Sequence, residues 1–211
     1  MTYSDAERAI GGLQGKAEFD EVLASAMSAE SEHKPVSLAF LDLDRFMEVN
    51  ESYGHEAGDR VIRELIAVLT ARFEASRLFR IGGDEFAVVL RSTEKEQAFL
   101  SLEEARAAFS ALSSIEDIEP HPTMSVGVAT LPDDGATKQE VIRKADDALY
   151  RGKSLGRDRV TLAREEKKVP KTTHFTQGQL DRLSALSQRE GVGEAELLRE
   201  ALDDLLKKYA S

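Results

Sequence analysis

Two glycines and two carboxylates stand side by side in the stretch 81–90, which reads IGGDEFAVVL. A β-hairpin needs glycine at most for its turn, and unpaired charge beside buried strands is unfavourable. The placement of Asp84 and Glu85 directly after Gly82 and Gly83 therefore indicates a bound cation or phosphorylated ligand. Glycines also let a ligand approach the backbone closely. The alternative is a tight turn whose acids are simply exposed.

A third carboxylate ends another predicted strand. Residues 36–44 read VSLAFLDLD, and strand alternation puts Asp42 and Asp44 on the face opposite the last two leucines. If this strand pairs beside the hairpin, Asp42 converges with Asp84 and Glu85. Converging carboxylates suit Mg²⁺, which binds oxygen ligands and shares them with phosphate. Two such ions can activate a hydroxyl and stabilise the leaving group in phosphoryl or nucleotidyl transfer.

Residues that suit a nucleotide occur in two further places. In 45–59 the chain leaves the strand and turns towards a helix, where backbone N–H groups bind phosphates. Asn50 and Asp59 together could read the edge of a guanine, although each is also typical of a turn or a helix start. Lys153 and Arg157 lie four apart, so at a helix end they would face the same side and could neutralise a triphosphate; the alternative is solvated charges at a helix C-terminus.

Apolar periodicity predicts the elements that position these residues. The order is strand, helix, hairpin, helix, strand, helix, strand, which is an α+β fold with helices packed on a sheet. The predicted ranges are a helix from 18 to about 29, strand 36–44, helix 56–73, strands 77–81 and 86–91, helix 94–112, strand 122–131, helix 138–153 and strand 158–162.

Composition narrows the function classes. The net charge of −11 disfavours non-specific nucleic-acid binding, because phosphate contacts need Lys and Arg. The chain has no cysteine, which excludes disulfides, thiolate nucleophiles and Cys-zinc sites. No apolar run is long enough for a membrane span, and the N-terminus does not resemble a secretory signal. We expect a cytoplasmic protein of bacterial type without a membrane partner.

The C-terminal part has a different character. Residues 164–171 are charged, contain a proline and predict a linker between a first domain, 1–163, and a second, 172–211. Thr176 is a candidate N-cap for one helix, and a second helix is expected at about 194–209. The apolar stripes comprise Leu180, Leu183, Leu186, Leu197, Leu198, Ala201, Leu202, Leu205 and Leu206. About 40 residues cannot bury such stripes alone, so this module predicts dimerisation.

Four blocks of the first domain, in order, resemble the GGDEF family of diguanylate cyclases. They are LDLDRFMEVNESYGHEAGDRVI at 41–62, GGDEF at 82–86, SVGVA at 125–129 and ADDALYRGKSLGRDRV at 145–160. The resemblance covers about 10–163 and implies an antiparallel sheet flanked by helices, related to nucleotide cyclases and polymerase palms. It also implies a nucleotidyltransferase of bacterial signalling, which condenses two GTP into cyclic di-GMP and pyrophosphate across two facing domains.

The same resemblance implies roles for individual residues. Asp42 and Asp84 would bind Mg²⁺, two ions per site with Mn²⁺ possible, with the Leu43 carbonyl nearby and Glu85 as a further acid. Either Asp84 or Glu85 would help to deprotonate the attacking 3′-hydroxyl. The family pattern implies GTP contacts by Asn50 and Asp59 to guanine, and by Lys153, Arg157 and the backbone of Arg45, Phe46 and Met47 to phosphate, beside Gly82 and Gly83.

Two departures from the family pattern carry expectations of their own. Met47 stands where the family usually has Lys, so one phosphate contact is expected to be missing. Phe73 and Ser76 stand where the family's inhibitory site has Arg and Asp, so we expect no product inhibition through that site.

The C-terminal module resembles a ribbon-helix-helix protein over 173–206. Such modules pair a short strand across an obligate dimer, and the paired strands can enter the DNA major groove. Phe175 would face the core, while Lys171, Thr172 and His174 could face outward. Basic and acidic residues are equal in number from residue 163 onward, which favours dimerisation over DNA binding. The alternative to a cyclase is a catalytically weak GTP receptor, or a DNA-binding regulator that uses this module.

Overall fold

The computed structural model describes residues 12–27, 34–115, 117–164, 172–190 and 192–209. The chain divides into two compact units, residues 1–165 and 166–211. Of the predicted linker, only Arg164 lies within the described residues. In the part of the chain that is described, no helix is both long and apolar enough to cross a membrane.

The first unit contains five strands and five α-helices among its described residues. In chain order they are α1 (Lys16–Ala26), β1 (Val36–Leu43), α2 (Phe46–Tyr53), α3 (His55–Thr70), β2 (Leu78–Arg80), β3 (Glu85–Arg91), α4 (Lys95–Ser110), β4 (Met124–Leu131), α5 (Lys138–Ser154) and β5 (Val160–Leu162). This order confirms the α+β prediction. One element was missed, because α2 occupies part of the stretch that was expected to be a turn.

The sheet has the strand order β2-β3-β1-β4-β5. All neighbouring pairs are antiparallel except β4 and β5, which run parallel. The central strand β1 therefore pairs with β3 of the hairpin on one side and with β4 on the other. This arrangement brings the ends of β1 and of the hairpin to the same edge, as the convergence of their carboxylates requires.

Helices cover both faces of the sheet. On one face Leu41 and Leu43 of β1 belong to the core that includes α3 and α4. On the other face Leu38 and Phe40 belong to the core that includes α1 and α5. Strand alternation carries Asp42 onto this second face, where α5 lies.

A glycine in β4 brings α5 unusually close to the sheet. A Cβ atom on Gly127 would lie 2.1 Å from the Ala145 carbonyl oxygen and 2.2 Å from the Leu149 nitrogen. Real Cβ atoms do not approach backbone atoms so closely, so only glycine fits without moving α5. This contact sets the distance between α5 and the sheet. The position of Lys153, near the end of α5, depends on that distance.

Among its described residues, 172–190 and 192–209, the second unit contains two helices, α6 (Gln177–Glu190) and α7 (Glu194–Tyr209). Several of its large apolar side chains remain exposed within the chain: Phe175 42%, Leu180 39%, Leu198 37%, Leu202 53%, Leu205 51%, Leu206 60% and Tyr209 71%. The described residues ahead of α6, 172–176, form no strand, and the preceding part of the expected ribbon lies outside the described residues. A lone ribbon has no neighbour for its backbone N–H and C=O groups within one chain, which accounts for the difference.

Candidate active site

The strand register brings three carboxylates to one edge of the sheet. Asp42, the seventh residue of β1, pairs directly with Glu85, the first residue of β3. Beyond this pair the Leu43 N–H donates to the Asp84 carbonyl oxygen over 3.2 Å. Of the three acids predicted to converge, Asp42 and Glu85 are thus paired on neighbouring strands, and Asp84 lies in the turn just before β3.

Lys153 joins this group from α5. Its Nζ lies 2.6 Å from Asp42 Oδ2, and the Asp42 side chain is only 10% exposed. Burial raises the pKa of the Asp42 carboxyl from 3.8 to about 6, although the bond and charge of Lys153 act in the opposite direction. The charges of Asp84 and Glu85 add to the rise. The edge therefore holds a buried carboxylate whose negative charge one ammonium does not fully stabilise.

The two glycines of the hairpin have different roles. A Cβ on Gly82 would lie 2.6 Å from Glu85 Oε2, whereas one on Gly83 would meet nothing within 4 Å. Neither glycine has a positive φ, so the turn conformation itself does not require them. Gly82 makes room for the Glu85 carboxylate. The open space at Gly83 fits the predicted approach of a ligand to the backbone.

The corner between α2 and α3 holds the two candidate guanine contacts. Asn50 lies in α2, and a Cβ on Gly58 would fall 2.0 Å from Asn50 Oδ1, so the amide rests against the α3 backbone. Asp59 is the next residue of α3 and is half-buried. Gly54, with φ 82°, makes the bend between the helices that brings these residues together.

The first turn of α2 follows the end of β1 directly. Arg45 precedes it in the left-handed conformation, with φ 56° and no side-chain cap. The first N–H groups of a helix have no acceptors inside the helix, so those of Phe46 and Met47 suit an anion. The Met47 side chain is 72% exposed.

Arg157 does not lie on the same helix as Lys153. The helix α5 ends at Ser154, and Arg157 is exposed in the loop that leads to β5. The expectation that helical spacing would align the two cations was wrong, because Gly156 with φ 115° turns the chain away. The Arg157 N–H donates to the Gly152 carbonyl oxygen over 3.1 Å, which keeps this loop against the helix end.

Sequence reasoning assigned no role to Asp44, although it is 6% exposed at the end of β1. Its carboxylate accepts hydrogen bonds from Thr123 Oγ1, Ser125 Oγ and the Asp158 N–H, at 2.8, 2.7 and 3.0 Å. The one available signal was its alternation with Asp42 on a strand otherwise apolar.

The acids at the sheet edge do not form a ready-built metal cage. Among the described residues there is no group of three or more His, Asp or Glu side chains arranged to hold a metal ion. The donor set nevertheless fits a hard cation, because buried Asp42 lies beside Asp84 and Glu85 and all offer oxygen ligands. Lys153 would compete with such a cation for the Asp42 carboxylate.

Comparison with known proteins agrees with this geometry. The family model described as "Diguanylate cyclase, GGDEF domain" matches residues 9–159. "Probable diguanylate cyclase DgcE" of Escherichia coli K12 is 34% identical over 165 residues, 77% of this chain and 15% of that protein. "Diguanylate cyclase A" of Treponema denticola is 32% identical over 146 residues, 68% of this chain and 39% of that protein. This chain therefore spans well under half the length of both relatives.

A solved structure shares the fold. The GGDEF domain of DgcB from Caulobacter crescentus, in complex with c-di-GMP, superposes with a TM-score of 0.66 at 32% identity. The superposition covers 74% of this chain and 92% of that domain. A second family model, "Ribbon-helix-helix domain", matches residues 167–210. With a matching family model over most of its length and this fold, the chain belongs to the GGDEF family of diguanylate cyclase domains.

Proposed function

We propose that this protein is a diguanylate cyclase that condenses two GTP into cyclic di-GMP and pyrophosphate. The observation that carries the proposal is the register of β1 and β3, which sets Asp42 opposite Glu85 and the Leu43 N–H on the Asp84 carbonyl. The open space at Gly83 lies in the turn before these acids. A triphosphate can therefore approach the backbone beside the carboxylates.

Two Mg²⁺ ions, or Mn²⁺, are the cations that this donor set suits best. Asp42 and Asp84 would hold them, with the Leu43 carbonyl nearby and Glu85 as a further acid. When bound, such ions polarise the α-phosphate and make the attacking 3′-hydroxyl more acidic. Lys153 pairs with Asp42 in the structure; with cations bound at this carboxylate, its long side chain would be available to the triphosphate.

The remaining side chains orient the nucleotide. Asn50 and Asp59, at the corner of α2 and α3, would bind the guanine edge. The backbone N–H groups of residues 45–47, with Lys153 and Arg157, would bind the β- and γ-phosphates. Because Met47 supplies no charge there, we expect GTP binding to be weaker than with Lys at this position.

The reaction joins two GTP molecules, each held by the catalytic domain of a different chain. Each 3′-oxygen forms a bond to the α-phosphorus of the other GTP, and the bond from that phosphorus to pyrophosphate breaks. The hydroxyl proton would pass to the carboxylate of Asp84 or Glu85. Holding both molecules in register supplies much of the rate, because it removes the entropic barrier of a bimolecular encounter.

A homodimer through residues 172–211 would bring the catalytic domains of two chains together. The supporting observation is the exposed apolar surface of α6 and α7, with Leu202 53% and Leu206 60% exposed within one chain. Small helical units of this size are stable only when a partner covers such a surface. The ribbon-helix-helix match supports the same assembly.

The product test uses the full chain with GTP and Mg²⁺, followed by mass spectrometry of the nucleotides. Wild type is expected to form cyclic di-GMP, and Asp84→Asn is expected to form none. Asp133→Asn is the matched control, because Asp133 is exposed after β4, at the far end of the sheet. Loss of product in the control, or retention of it in Asp84→Asn, would contradict the assigned site.

A GTP receptor with DNA-binding output is the second candidate, favoured by the ribbon-helix-helix match. Thr172 and His174 are exposed ahead of α6, where a paired ribbon would lie, while Lys171 falls outside the described residues. This candidate predicts that GTP is bound but not converted, and that short DNA duplexes bind with strong salt dependence. Absence of duplex binding at low salt would exclude it.

A further inference from the structure

The loop between α5 and β5 has a backbone that needs outside support. Three consecutive residues, Gly156, Arg157 and Asp158, have φ values of 115°, 64° and 45°. Glycine adopts this conformation freely, but for Arg and Asp it is less favourable than the right-handed region. The loop keeps this conformation only if contacts from other elements hold it.

Asp158 provides these contacts through both its backbone and its side chain. Its N–H donates to Asp44 Oδ2 over 3.0 Å. Its carboxylate accepts from Arg106 Nη1 at 2.6 Å and from Ser110 Oγ at 3.1 Å, both on α4. The residue directly after Arg157 is thus tied to the end of β1 and to α4 at once.

The anchors themselves are firmly held. Asp44 is buried, and Thr123 and Ser125 donate to its carboxylate, so its position is set by the pairing of β1 with β4. Arg106 is only 16% exposed, and its Nε also donates to Glu103 one turn earlier in α4, at 3.0 Å. A side chain that other partners already hold loses little further freedom when it also binds Asp158.

We propose that Asp158 is a positioning residue for Arg157, fixing its loop through Asp44 and Arg106 so that the guanidinium is presented to the triphosphate. This rests on the proposed function, in which Arg157 binds phosphate. Asp158 does not touch substrate. Its effect on nucleotide affinity passes wholly through Arg157, and that dependence is measurable.

A double-mutant cycle tests the proposal. The probe is 3′-deoxy-GTP with Mg²⁺, which lacks the attacking hydroxyl, and affinity for the full chain is measured by calorimetry. Arg157→Ala is expected to weaken binding about tenfold or more, as for loss of a charged hydrogen bond. Asp158→Ala is expected to weaken it comparably, and the double variant no more than Arg157→Ala alone. Both Asp158→Ala and Asp158→Asn keep the backbone N–H, but only Asn keeps a side-chain acceptor for Arg106 and Ser110. Asp158→Asn should therefore retain most of the wild-type affinity.

Thermal unfolding of each variant separates positioning from a general loss of structure. Should Asp158→Ala fold poorly, Arg106→Gln and Ser110→Ala remove its side-chain partners without changing the loop sequence, and the same non-additivity with Arg157→Ala is expected. Asp20→Ala, which breaks the surface ion pair with Lys138, is the control and should leave affinity unchanged.

The outcomes separate this proposal from the function it rests on. No binding of the probe by wild type would overturn the proposed function, and the positioning role with it. Binding that Arg157→Ala weakens but Asp158→Ala does not would overturn the positioning role alone. Losses that add in the double variant would also overturn it, because Asp158 would then act independently of Arg157.

Discussion

Replacing Asp42 by Asn is expected to remove the metal site. It is also expected to change the stability of the nucleotide-free protein: the free energy of unfolding of the variant, minus that of wild type, should be larger at neutral pH than in acid. Burial raises the pKa of this carboxyl from 3.8 to about 6, despite the ion pair with Lys153. The ionised form is therefore less favourable in the folded than in the unfolded chain. The difference between the two pKa values corresponds to about 3 kcal/mol.

The direction of the pH dependence follows from proton linkage. Because the folded pKa is the higher one, the stability contributed by protonated Asp42 is fully present below about pH 3.8. It is lost as the pH rises through about 6. Between about pH 5 and about pH 7.5, wild type should lose about 1 kcal/mol relative to Asp42→Asn.

Urea unfolding of both full-length proteins at the two pH values measures this change. The transition is followed by circular dichroism and tyrosine fluorescence, since the chain has no tryptophan. Asp133→Asn is the control and should follow the wild-type pH dependence. The reasoning would be refuted if the free energy of unfolding of Asp42→Asn, minus that of wild type, stayed constant or fell as the pH rises, since the ion pair would then outweigh burial. Added Mg²⁺ should stabilise wild type and not Asp42→Asn.

Three other predictions follow from the contacts described above. Lys153→Met frees the neighbouring carboxylate, so Mn²⁺ measured by electron paramagnetic resonance without nucleotide should bind about tenfold more tightly; equal or weaker binding would contradict this. Gly127→Ala pushes α5 off the sheet and should lower the free energy of unfolding by about 3 kcal/mol, whereas Gly83→Ala should leave it unchanged; similar values for both would be inconsistent with these contacts. Leu202→Glu should shift the sedimentation coefficient from dimer to monomer and reduce cyclic di-GMP formation, while Leu100→Glu, at an exposed site of the first unit, should do neither.

Local pattern predicted much of the fold. The alternation in 36–44 and the apolar spacing after residue 55 are set by the period of each element, and both agree with the structure. The helix α2 was missed because it has only eight residues and its one buried residue is Val49, so it has almost no apolar face to detect. The C-terminal ribbon depends on a partner strand that a single chain does not provide.

The site was less accessible from the sequence than the fold. The approach of Asp42 to Glu85 could be predicted because it follows from strand pairing alone. The Lys153–Asp42 pair depends on how closely α5 lies over the sheet, which no local pattern encodes. The contact between Asp158 and Arg106 joins residues 52 apart in sequence, and helical spacing misled the placement of Arg157.

The most direct test of the central claim compares the products formed from GTP and Mg²⁺ by full-length wild type and Asp42→Asn under conditions where both are folded. The account predicts cyclic di-GMP and pyrophosphate from wild type, and unconverted GTP from the folded variant. Cyclic di-GMP from Asp42→Asn at the wild-type rate would contradict it, because the buried carboxylate at the sheet edge would then have no part in the chemistry.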